Sequence, residues 1–86
     1  MNFLSPPELK NSLSFRDSVR SISYTATEND AGYFIAYGYA YTVSYSTDGT
    51  MICEMTNACI AKLEAGQSIQ ITGSYGSAYS LIYKIA

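Results

Sequence analysis

The chain has 86 residues, a formal net charge of −2 and only 14% charged side chains, against about 25% in ordinary soluble domains. Its five basic residues are scattered along the sequence, which disfavours a nucleic-acid partner because phosphate neutralisation needs them clustered. No apolar run approaches the roughly 18 residues of a membrane helix, and a single small domain is the natural reading of the length.

Residues 1–18 differ from the rest. "MNFLSPPELK" has neither a basic leader nor an apolar secretory core, so the chain is expected to stay in the cytoplasm where it is made. Ser5 stands three places before Glu8 with prolines between, the pattern of a capping box. It predicts a short helix from about Pro6 to Leu13, exposing Leu9 and Leu13 on one side. A helix of that length is not stable alone. Residues 1–18 therefore read as an attachment arm, with Phe3, Leu4, Leu9 and Leu13 as its contacts. It docks either on its own domain or on a partner.

From residue 19 to 86 the pattern is β throughout, rich in Tyr, Ile, Val and Thr with turn residues at short intervals. "SISYTA" (21–26) places Ile22, Tyr24 and Ala26 on one face, and "ENDAG" (28–32) is a turn cluster. In "GYFIAYGYAYTVSY" (32–45) the odd positions carry Tyr33, Ile35, Tyr37, Tyr39, Tyr41, Val43 and Tyr45. Read as one long strand bent at Gly38, this stretch puts the large residues on one face. Aliphatic neighbours make that face an interior or an interface between chains. Buried phenols each want a hydrogen bond, which favours the interface.

"STDGT" (46–50) turns the chain back. A two-residue Asp48-Gly49 loop pairs Tyr45 with Ile52. A three-residue loop with Gly49 left-handed pairs Tyr45 with Met51 and Val43 with Cys53, keeping large apolar side chains together, and is the expected arrangement. "MTNA" (55–58) leads into "ACIAKL", "EAGQ" closes that strand, "SIQITG" puts Ile69 and Ile71 inward, and "GSYGS" (73–77) leads into "AYSLIYKIA". Six or more short strands separated by tight turns predict an all-β fold, a small antiparallel β-sandwich with a short N-terminal arm or helix.

Cys53 and Cys59 lie opposite each other if residues 55–57 form a three-residue hairpin loop, and on opposite faces if the loop has two. A cytoplasmic origin favours free, half-buried thiols. The two cysteines lack the second pair that zinc requires, and no cofactor is expected. Without histidine, nothing in the sequence assembles an acid–base or nucleophilic site, and Glu28 and Asp30 read as solvated turn residues. The chain is expected not to be an enzyme.

"SYTATENDAGYFIAYGYA" and "AKLEAGQSIQITGSYGSAYSLIYKIA" resemble the small jelly-roll heads of bacteriophage fibres, which are similar in fold to complement-globular and tumour-necrosis-factor-like domains. Thr25, Gly32 and Tyr33 carry the first part of the likeness. Leu63, Ala65, Gly66 and Ile69 carry the second, with Gln67 where an acidic residue is usual. The likeness covers residues 20–86. It implies a homotrimer in a virion, made in the host cytoplasm, with the arm bound to other virion proteins. It supplies no catalytic or ligand residues.

Three functions follow as expectations. The first is a structural virion component, fibre-like or a capsid or tail accessory, whose assembly stripe is Tyr33, Tyr37, Tyr39, Tyr41 and Tyr45. The second is a receptor- or carbohydrate-binding head using loops 27–32, 46–50 and 73–77, with Tyr75, Ser74, Ser77, Asp30 and Asp48 as contacts. The third is a small β protein inhibiting a host enzyme.

Overall fold

The computed structural model describes residues 7–74 and 77–85, with Ser77 by its backbone alone. These residues form β1 (Glu8–Arg16), β2 (Val19–Thr25), β3 (Gly32–Tyr39), β4 (Thr42–Thr47), β5 (Thr50–Glu54), β6 (Ala58–Leu63), β7 (Ser68–Ser74) and β8 (Ser77–Lys84). Two four-stranded antiparallel sheets result, ordered β1-β8-β3-β6 and β2-β7-β4-β5. Only β4 and β5 are joined as a hairpin; every other connection crosses from one sheet to the other. Eight strands in two interleaved sheets of this order make a jelly-roll sandwich.

The helix expected at Pro6–Leu13 is not formed, because Glu8–Arg16 is an edge strand paired with β8. The alternation Ser12, Leu13, Ser14, Phe15 outweighs the capping signal, since period two fits a half-buried strand. Leu13 packs against the core while Leu9 is exposed, so the two do not share a side. Residues 8–16 of the supposed arm are thus part of the sandwich. Phe3 and Leu4 lie outside the described residues.

The core lies between the sheets. Phe34, Ala36 and Ile82 come from the first sheet and Tyr45, Ile69 and Ile71 from the second, all fully buried. The residues 32–45 are not one strand: β3 and β4 belong to different sheets, and the chain crosses over at residues 40–41. Parity changes at that crossing. The inward positions of β3 are the even ones, Phe34, Ala36 and Gly38, whereas those of β4 include Val43 and Tyr45. The expectation of a single inward phenol face is corrected accordingly. Tyr45 alone of the five is core.

Tyr45 reaches across the sandwich. Its hydroxyl accepts the Gly38 N–H at 3.0 Å and donates to the Thr56 carbonyl at 2.8 Å. Burial pushes this phenol's pKa up, and the Gly38 amide pulls partly against it. Both hydroxyl functions are satisfied, which is what a buried phenol requires.

The β4–β5 turn also differs from expectation. Thr47 pairs with Thr50, so the loop has two residues, and Asp48 and Gly49 are both left-handed (φ 48° and 83°). That is the geometry of the primed turns that match strand twist. Parity is restored one step later by a bulge in β5 at Ile52, which pairs Tyr45 with Cys53. The bulge performs within the strand what the longer loop was expected to do.

Cys53 and Cys59 are bonded. The expected free thiols are corrected, because residues 55–57 do not close a hairpin but carry the chain from β5 in one sheet to β6 in the other. Both sulfurs face the interior at that crossing, so the bond staples the edges of the two sheets together. A short closed loop of this kind stabilises by about 2 kcal/mol through the unfolded chain. Reduction is expected to lower the melting temperature by about 8–16 °C. Thermal scans with and without dithiothreitol check this, and coincident midpoints would mean the staple contributes nothing.

Candidate interaction surface

An antiparallel sandwich normally turns polar side chains outward on both sheets. Here the two outer faces differ in chemistry. On β2, β7 and β4 the outward positions carry mostly hydroxyls, and these pair across strands. Ser21 bonds Thr72 at 2.8 Å, Thr25 bonds Ser68 at 2.6 Å, and Thr42 bonds Ser74. Across its middle this face is ordinary hydrated sheet, with Val19 and Met51 exposed at its margins.

The outer face of the first sheet is apolar. Register places Tyr33, Ile35, Tyr37 and Tyr39 of β3 beside Tyr79, Leu81 and Tyr83 of β8 and Ile60 of β6. Ile60 is 61% exposed, Tyr39 52% and Tyr33 46%. Tyr37, Tyr79 and Tyr39 stand as parallel rings, with centroids 5.8 and 5.6 Å apart. A hydrogen bond with Tyr37, together with partial burial, raises the Tyr79 pKa. Among the described residues on this face the charged side chains are Arg16 at one end and Lys62 at the other, whose ammonium lies 6.0 Å from the Tyr33 ring. Glu64, just past β6, pairs with Lys62 at 4.0 Å at that end, and no carboxylate lies among the described strand residues between the two cations. Sequence reasoning named most of these tyrosines but expected their face to look inward with Val43 and Tyr45. The companion run Tyr79, Leu81, Tyr83 on the last strand was the missed signal that this sheet carries apolar residues outside.

Tyr41, in the crossing between the sheets, is 77% exposed and lies outside both groups. The proposed contact loops do not form one surface. Asp30 and Asp48 sit at the end of the sandwich where β2 leads to β3 and β4 to β5, while Ser74 and Ser77 are at the opposite end. Tyr75 lies outside the described residues. Asp48 is committed to the fold, its carboxylate accepting the Ser68 N–H at 3.0 Å.

Asp30 is likewise a structural link. Its carboxylate accepts from the Tyr24 hydroxyl at 2.5 Å, from the Thr27 N–H at 2.6 Å and from the Thr27 hydroxyl at 2.9 Å. Lys10, which also pairs with Glu8 at 2.7 Å, lies 3.2 Å away. The Tyr24 hydrogen bond first, then the Thr27 amide, hold Asp30 well below the usual carboxylate range. Glu8 and Asp30 together hold Lys10 above the ordinary ammonium value, with desolvation opposing. A depressed carboxylate favours the folded state above its unfolded pKa of about 4, and that contribution is lost as pH falls through the folded value. Wild-type melting temperature is therefore expected to fall more steeply below about pH 4 than that of Asp30→Asn. Parallel slopes for the two proteins would remove Asp30 from the acid response.

Comparison with protein-family models, with curated proteins and with solved structures finds no match.

Proposed function

We propose that this protein is a non-enzymatic structural component of a bacteriophage particle, fibre-like or a capsid or tail accessory, that assembles with copies of itself, as a trimer by preference. The outer face of the first sheet carries the reading. It is a continuous field of Tyr, Ile and Leu whose one neighbouring acid among the described residues, Glu64, pairs with Lys62 at its margin, on a chain whose other outer face is mostly hydroxylic across β2, β7 and β4. Large exposed apolar patches of this kind are characteristic of interaction surfaces. Tyrosine suits an interface rim, because the ring buries area while the hydroxyl keeps a polar partner.

The virion assignment rests on the resemblance over residues 20–86 and on the jelly-roll strand order, which agrees with the fold that the resemblance implies. Attachment to other virion proteins falls in this reading to the segment holding Phe3 and Leu4. Light scattering on the purified chain tests the assembly. A mass of three chains supports it, and a single-chain mass at every concentration overturns it.

A further inference from the structure

Each sheet ends in two edge strands, β1 and β6 in the first and β2 and β5 in the second. Three of the four carry devices that discourage a further strand. β1 has a bulge between Leu9 and Asn11, and its Lys10 turns toward Asp30. The Asn11 side chain donates to the Ser23 carbonyl at 2.8 Å, on the open side of β2. β5 is five residues long, bulged at Ile52, and ends on Glu54. β6 differs. Its six residues, ACIAKL, pair one to one with β3 without a bulge, contain no proline, and carry a single charge, Lys62.

The ladder fixes where the backbone groups of β6 point. The register that pairs Tyr37 with Ala58 puts Gly38 opposite Asn57, and the Gly38 N–H also donates to the Asn57 carbonyl at 3.1 Å. Hydrogen-bonded pairs alternate along an antiparallel ladder. Cys59, Ala61 and Leu63 therefore direct N–H and C=O at β3, while Ala58, Ile60 and Lys62 direct theirs out from the edge. Among the described residues no strand receives them. The Thr56 hydroxyl reaches the Ala58 carbonyl at 3.4 Å, which leaves that oxygen a second lone pair.

We infer that this edge is a joint between two copies of the chain, each adding its β6 antiparallel to the other's first sheet about a two-fold axis at Ile60. Only another extended strand matches a row of N–H and C=O groups at this spacing. The sequence of β6 suits a copy of itself. Ile60, 61% exposed in the lone chain, meets the partner's Ile60, and Ala58 meets the partner's Lys62, so every outward-pointing residue is paired. The two ammoniums then stand four residues apart, roughly 13 Å along the strands, farther than a Debye length at physiological salt. Each keeps its own Glu64 at 4.0 Å. A slide of two residues one way makes the lysines diagonal neighbours, and the other way leaves Lys62 beyond the partner's β6. Directly opposed residues of an antiparallel pair share a face. The joint therefore makes one continuous sheet of the two first sheets, with their Tyr, Ile and Leu side chains on the same side. It does not rest on assembly through that outer face, because the edge contributes backbone groups and the face side chains.

Amide hydrogen exchange followed by NMR on the full chain, over a concentration series with sedimentation in parallel, tests the joint. In dilute protein the Ile60 and Lys62 amides should exchange freely, while those of Cys59 and Ala61 are protected by β3. As mass rises the first two should slow by about tenfold once about nine chains in ten are paired. The Ser21 amide, on the open side of β2, should not slow. The mass should reach two chains, or six where the trimer also forms. Lys62→Pro removes an edge-facing donor without touching the β3 ladder, and should weaken pairing by about tenfold or more. Lys62→Ala keeps the N–H and should pair as wild type does. Protection at a mass of two keeps the joint and removes the trimer. Association with the Ile60 and Lys62 amides still exchanging freely overturns the joint and leaves the outer face as the contact. Single chains up to millimolar concentration, or undiminished pairing in a folded Lys62→Pro protein, overturn it as well. So does protection that appears only when an extended Val- and Ile-rich peptide is added to a chain that stays single, since the edge would then belong to a foreign strand.

Discussion

Gly38→Val is expected to destabilise the chain by about 2–6 kcal/mol, a large part of the total stability of a domain this size. Gly38 points inward from β3, directly under the end of Tyr45 from the opposite sheet. A β-carbon there would lie 2.7 Å from Val43 Cγ2, 3.1 Å from Ile71 Cγ2 and 3.3 Å from the Tyr45 hydroxyl. None of these neighbours is the loose end of a surface side chain; Tyr45 and Ile71 are fully buried. Overpacking of this kind costs about 1–3 kcal/mol. Pushing the phenol aside then breaks its bonds to the Gly38 amide and the Thr56 carbonyl, for about 1–3 kcal/mol more. Tyr45→Phe separates the two contributions, since it removes the hydroxyl without adding volume and should cost only the second. Urea denaturation measures both. A Gly38→Val protein as stable as wild type would mean that the sheets part easily at this end.

Gly38 also shows how far the sequence could be read. Alternation of large and small residues over 32–45 identifies strand correctly, because no helix tolerates that period. It does not identify which face is inward. Large residues are the natural guess for an interior, but here the small even residues of β3 face in because Tyr45 and Val43 from the other sheet fill the space above them. The signal for a change of sheet at Ala40–Tyr41 carries no glycine or proline, so no turn chemistry marks it. Past the crossing, Thr42, Ser44 and Ser46 are legible as a hydrated face against Val43 and Tyr45. The same limit explains Cys53 and Cys59. Their spacing allows a bond, but only the passage of residues 55–57 between sheets shows that both sulfurs face one interior.

At the N-terminus two local rules competed. Ser5, the prolines and Glu8 announce a helix start, while Leu13 and Phe15 between serines announce a strand. A helix of eight residues gains little from its cap, whereas pairing along β8 satisfies a whole row of backbone groups and buries Leu13. The long-range partner decided the outcome, and β8 lies more than sixty residues away by number. The candidate surface was half legible for the same reason. Its tyrosines stand out in the sequence, but their company with Ile60, Leu81 and Tyr83 comes from non-local pairing.

In the assembly proposed above, replacing Ile60 and Tyr83 together by lysine is expected to leave single chains. Both side chains project from the outer face of the first sheet and flank Ile35, which pairs with each of them. In a lone chain the lysines would sit in water, where surface changes typically alter stability by about 0.5 kcal/mol or less. In an assembly that covers this face they would be buried on a surface whose neighbouring carboxylate, Glu64, already pairs with Lys62. An unpaired buried charge costs several kcal/mol, so two of them should weaken association by roughly a thousandfold or more. Ser23→Lys, on the hydroxyl face of the other sheet, supplies the matched control and should keep the wild-type mass. Sedimentation across a concentration series reads all three proteins, with circular dichroism to show that each is folded. A folded double variant that keeps the wild-type mass would place the contact elsewhere on the chain. Loss of mass in the Ser23→Lys control alone would move the contact to the opposite sheet.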